Sequence, residues 1–101
     1  MEPMKFYIDT HDVQKESFPA GLTPEQFEGF FADYEKACQA EGVVILRVHV
    51  GYDDGRAFCF TMAPNDQAVR RAHERVGLLF DSISEVKTAT PGDTFFRPQT
   101  A

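Results

Sequence analysis

The segment LRVHVGYDDGRAFCF (46–60) sets a histidine and a cysteine on either side of a turn, Tyr52-Asp53-Asp54-Gly55. An imidazole nitrogen and a thiolate both bind borderline transition-metal ions. Directly opposed strand residues have Cβ atoms about 4.5–5.5 Å apart, near enough to share one ion. A three-residue loop, Asp53-Asp54-Gly55 with Gly55 left-handed, pairs Tyr52 with Arg56 and opposes His49 to Cys59; a two-residue Asp54-Gly55 loop opposes His49 to Phe60 instead. The first strand, expected beside the third, brings Tyr7 or Asp9 into the same neighbourhood. The candidate metal ligands are therefore His49, Cys59 and Asp9. The competing reading of the same residues is a solvated or dimer-lining sheet surface, since no dense ligand motif such as C-x-x-C or H-x-x-x-H is present.

Two further histidines carry open readings. His73, in VRRAHERVG, lies at the edge of a helical apolar stripe, as a boundary histidine bonded to a neighbour or as a ligand. His11, between Asp9 and Asp12, belongs either to an ordinary turn or to a loop that offers oxygen and nitrogen donors to a divalent cation. No G-x-S-x-G elbow, P-loop or G-x-G-x-x-G occurs, so a binding protein is favoured over an enzyme. The enzyme alternative is an oxygenase- or isomerase-like pocket protein, a dimeric α/β barrel whose open sheet faces enclose a cavity. Tyr7, Arg47 and Thr61 would line that cavity, with Tyr7, Asp9 and His49 as acid/base groups.

Several elements must position these residues. MKFYID (4–9) alternates as a strand, and 10–21 reads as loop. Thr23, Pro24 and Gln26 form a capping box that opens a helix over 24–41, with Phe27, Phe30, Phe31, Tyr34 and Cys38 on its apolar side. VVILRVHV (43–50) and AFCFTM (57–62) form a hairpin. Asn65 caps a second helix from Asp66 to about Val76, ended by Gly77, and ISEVKTA (83–89) is the last strand. The order β-α-β-β-α-β is the ferredoxin-like α+β arrangement, an antiparallel sheet of order 4-1-3-2 with both helices on one face. Period-two alternation turns Met4, Phe6, Ile8, Val44, Leu46, Val48, Val50, Phe58, Phe60 and Met62 toward the helices. It leaves Lys5, Tyr7, Asp9, Val43, Ile45, Arg47, His49, Ala57, Cys59 and Thr61 on the open face.

The chain has 101 residues, read as one domain (1–101) with a core of about 4–89 and an extension at 90–101. A net charge of −6 argues against nucleic acid as a partner. No apolar stretch is long enough to cross a membrane, and the N-terminus lacks the pattern of an export signal. A cytoplasmic protein with free Cys38 and Cys59 is expected.

Three stretches together carry a resemblance: LTPEQF, DGRAFCF followed by Ala-Pro, and AVRRAHERVGL followed by FDSISEV. Over about Lys5 to Thr88 the chain resembles the small bacterial family known as DUF4242, whose characterised type is nickel-responsive and nickel-binding. The resemblance implies a ferredoxin-like homodimer that binds nickel or another divalent transition metal for sequestration or tolerance. The matching positions with ligand chemistry are Cys59 and His73, with His49 in the strand before the Asp-Gly turn. The chain departs from the family pattern in its longer 10–21 segment and in its tail with Phe95 and Phe96. Both are read as dimer clasps.

Overall fold

Residues 3–89 are described by the computed structural model. The extension at 90–101, including Phe95 and Phe96, lies outside the described residues. Strand β1 spans Lys5–Asp12, helix α1 Pro24–Ala40, β2 Val44–Gly51, β3 Arg56–Ala63, α2 Asp66–Val76 and β4 Ser82–Val86. All strand pairings are antiparallel, in the order β2-β3-β1-β4. This is the ferredoxin-like arrangement expected from the alternation of elements. Among the described residues no helix is long and apolar enough to cross a membrane.

Local chemistry sets both helix starts. Thr23 accepts from the Gln26 backbone N–H and the Gln26 side chain accepts from the Thr23 N–H, a complete capping box with Pro24 at the first position. Asn65 accepts from the Ala68 N–H, and Gly77, at φ 65°, lets the Leu78 N–H return to the His73 carbonyl. Glu41, just past α1, ties the two helices together: it accepts from Arg71 at 2.8 Å and from Arg75 at 2.6 Å. Those arginines thus help to set α2 over the sheet.

The faces of the sheet are largely the reverse of those expected. Tyr7, Asp9 and His11 of β1 and Ala57, Cys59, Thr61 and Ala63 of β3 point into the helix layer and are buried. Phe6 and Phe60 stack at 5.7 Å on the open face. In β3 both alternating sets are rich in apolar groups, and in β1 the apolar pair Phe6 and Ile8 is the one left outside, so period two alone does not tell the covered face from the open one. The core is built of small or aromatic-hydroxyl side chains: Tyr7, Tyr34, Ala37, Cys38, Val43, Ala63, Ala68, Val69 and Ala72. Such a narrow filling brings the helices close and leaves no room there for the phenylalanines of β3.

The hairpin has a different register from either one considered. Gly51 pairs with Arg56, so Tyr52, Asp53, Asp54 and Gly55 all belong to the loop; His49 then opposes Phe58, and Val48 opposes Cys59. The pairing slips again between Ile45 and Arg47. This bulge at Leu46 lets Val43 and Ile45 join the core before it while Val48 faces the same layer after it. Strand β1 also runs three residues further than expected. Asp12 accepts from the Gln14 N–H, a 3₁₀ turn follows at Val13–Lys15, and the Val13 N–H donates to the Gly55 carbonyl at 2.8 Å.

That last contact makes Gly55 a sensitive position. Its φ is +66°, and a Cβ there would lie 2.5 Å from Val13 Cγ1. Gly55→Ala should therefore cost about 1–3 kcal/mol, seen as a lower urea midpoint with an unchanged slope. An unaltered midpoint would show that the turn and the 13–17 segment are not locked together.

Candidate metal centre

Period two along β1 puts Asp9 and His11 on the same face, and the third turn of α2 lowers His73 onto them. Asp9 is 0% exposed, His73 1% and His11 4%. The Nε2 atoms of His11 and His73 lie 2.8 and 3.1 Å from the same carboxylate oxygen, Asp9 Oδ2. The two imidazole rings stack at 5.6 Å. One donor atom from each of the three residues lies within 4.8 Å of the others.

The far nitrogens are equally constrained. His11 Nδ1 sits 2.7 Å from the Leu79 carbonyl and 3.2 Å from the Ser17 carbonyl. His73 Nδ1 sits 2.8 Å from the Val69 carbonyl, with the Tyr34 hydroxyl at 3.5 Å. A carbonyl only accepts, so each Nδ1 must carry the proton. In a neutral ring each Nε2 is then a lone pair facing a carboxylate. Acceptor facing acceptor in a buried space calls for a cation between them, either a proton or a metal ion.

The separations suit a metal. Cis donors on a six-coordinate ion with bonds of about 2.1 Å are about 3.0 Å apart. Asp9 Oδ1 has no hydrogen-bond partner among the described residues, which leaves a second buried carboxylate oxygen free. Backbone carbonyls holding the outer Nδ1–H groups are the usual support behind histidine ligands.

Without a metal, a proton fills the role. Burial pushes the Asp9 carboxyl up, but the hydrogen bonds and charges of His11 and His73 outweigh it, and its pKa falls below the ordinary 3.8. Burial pushes His11 down, and the Asp9 carboxylate with the Leu79 and Ser17 carbonyls more than reverses this, so its pKa rises above 6.5. The neighbouring thiols stay protonated: burial raises Cys38 to about 11 and lifts Cys59 well above its ordinary value.

The expected site residues separate into two groups. Asp9 and His73 meet, joined by His11, and Cys59 lies beside them with Sγ 3.8 Å from His11 Nε2. His49 is exposed on the other face of the sheet, opposite Phe58, so it does not approach Cys59. Tyr7 and Thr61 are buried under the helices, whereas Arg47 is exposed and opposes Phe60. These three do not line one pocket, and Tyr7 and Asp9 do not share a face with His49. The Thr61 hydroxyl has no partner among the described residues. His11 had a legible signal in Asp9-Thr10-His11, once β1 is extended to include it.

A cavity of about 430 Å³ adjoins the group on the helix side, bounded by α1, the 16–22 segment and residues 76–79. It takes the place of the open-face pocket expected from the sequence.

The Asp9 and His11 shifts have opposite signs with pH. The Asp9 contribution to stability is present above 3.8 and is lost as pH falls through its lowered folded pKa. The His11 contribution is present below 6.5 and is lost as pH rises through its raised folded pKa. Chelator-treated wild type should thus exceed Asp9→Asn in stability most between pH 3.8 and 6.5, by about 3–5 kcal/mol, with the gap narrowing on both sides. Denaturant titrations across pH 3–9 measure it, and a gap independent of pH would contradict the buried ion pair.

The family model described as nickel responsive protein, SCO4226-like, matches residues 7–86. The fold is similar to the crystal structure of SCO4226 from Streptomyces coelicolor A3(2), with a TM-score of 0.73 and 25% identity. That likeness covers 84% of this chain and 99% of the other. No curated protein matches the chain.

Proposed function

Because this chain belongs to the SCO4226-like family of nickel responsive proteins, we propose that it is a small cytoplasmic metal-binding protein, with Asp9, His11 and His73 as its ligands. It would serve in sequestration of or tolerance to the metal. One observation carries the ligand assignment: two histidine Nε2 atoms, each fixed by an Nδ1–H bonded to a backbone carbonyl, converge on one fully buried carboxylate oxygen. Bound there, a divalent ion would supply the positive charge that the donors lack. Imidazole and carboxylate donors suit Ni²⁺, Cu²⁺ and Zn²⁺, and intrinsic affinity runs highest for copper, so family membership is what favours nickel.

Binding must displace the proton held on His11, so affinity rises with pH through neutrality. Calorimetric titration of tag-free, chelator-treated protein with NiCl₂ should give one ion per chain. Asp9→Asn and His73→Gln should each lower the affinity by about 100-fold or more, while His49→Ala leaves it unchanged. Wild-type affinity in an Asp9→Asn, His11→Gln double variant would remove this site from consideration.

The open sheet face fits a homodimer. Phe6 and Phe60 stack there, Arg56 lies over Phe58 at 4.9 Å, and Val44 and Leu46 are 44% and 39% exposed. A second copy would cover this apolar surface. Light scattering should give twice the 11.4 kDa chain mass, and Phe60→Arg should halve it. A wild-type monomer at micromolar concentration would refute the pairing.

A further inference from the structure

The cavity beside the metal centre has an apolar wall and a polar end. Phe18, Leu22, Phe27, Phe31, Val48 and Leu79 form much of the wall, and His11, Cys59 and Tyr34 reach into it. The polar end lies next to the proposed ion: Cys59 Sγ is 3.8 Å from His11 Nε2, the nitrogen that faces Asp9. Its volume of about 430 Å³ falls within the range of sites for small organic molecules.

Charge selects the occupant. A divalent ion with one carboxylate and two neutral imidazoles carries one net positive charge in a buried space, which a single anionic donor would neutralise. The Tyr34 hydroxyl and the Cys59 sulfur are the other polar groups at that end. Exposed Glu16 and Asp33 stand at the cavity's border and disfavour a second negative charge on the same molecule.

We propose that this cavity binds a small apolar monocarboxylate, an aryl or medium-chain acid, with its carboxylate at the His11–Cys59 end and its apolar body against the phenylalanines. The proposal rests on the metal-binding reading and adds to it a ligand whose affinity depends on the metal. Linkage requires the converse as well: the acid tightens the metal by the same factor. The 10–21 segment gains a role from this, because its Phe18 closes one side of the cavity while its Ser17 carbonyl holds His11.

The probe is 4-phenylbutyrate, titrated calorimetrically into the full chain with and without one equivalent of Ni²⁺. The nickel-loaded protein should bind it one to one, at least tenfold more tightly than the metal-free protein. It should also bind 4-phenylbutyrate at least tenfold more tightly than 4-phenylbutan-1-ol or the dicarboxylate suberate. Ala57→Leu, which fills the cavity from β3, should abolish probe binding while the nickel titration stays intact. Val48→Phe fills it from β2 and serves if the first variant does not fold. Nickel binding without probe binding would overturn this proposal and leave the metal reading standing. So would equal affinity with and without nickel, or probe binding that survives a folded cavity-filling variant. A failed nickel titration with no probe present would overturn the metal reading, and this proposal with it.

Discussion

A carboxylate with no access to solvent is the constraint around which the rest of the molecule is arranged. Asp9 is completely buried near the middle of β1, and an unpaired charge there would be prohibitive. Its partners come from two directions, His11 along the same strand and His73 from the helix above. Each partner is anchored in turn by backbone carbonyls of Ser17, Leu79 and Val69. The 3₁₀ turn after β1, the capped end of α2 and the Glu41 clamp on Arg71 and Arg75 all serve to bring these groups into one place. A core of alanines, valines and tyrosines permits the close helix-to-sheet approach that this requires.

Much of the fold could be read from local chemistry. The Thr23 capping box, the Asn65 cap and Gly77 mark both helices because they satisfy backbone groups within a few residues, and such effects leave direct traces in sequence. Strand order followed from the succession of elements. What could not be read was which face of the sheet the helices cover. In β1, Phe6 and Ile8 alternate with Tyr7, Asp9 and His11, and hydrophobicity points to the first set; the second set goes inside because its members satisfy one another, a fact that depends on His73 more than sixty positions later. Similarly, a fourth loop residue moves His49 by one position against β3, a bulge at Leu46 moves Val44 and Ile45 by one more, and a single slip exchanges the two faces. Of the residues expected as ligands, Asp9 and His73 meet with Cys59 beside them, while His49 was drawn in by a register that the hairpin does not adopt.

The two faces of the sheet divide the chemistry between them. The covered face carries the buried Asp9 and His11, the thiol of Cys59 and the cavity. The open face carries stacked phenylalanines and exposed aliphatic side chains. A surface of the second kind is suited to burial against another protein surface rather than to ion chemistry, which leaves the helix side for ligands.

The sequence distance between the converging groups has its own consequence. Asp9 and His73 are separated by 64 positions, and His11 and Leu79 by 68. An ion held by both β1 and α2 would act as a reversible cross-link, binding the folded chain and not the unfolded one. The lifetime of the protein against proteolysis would then follow the free metal concentration, so that the chain persists where the metal is abundant and is cleared where it is scarce.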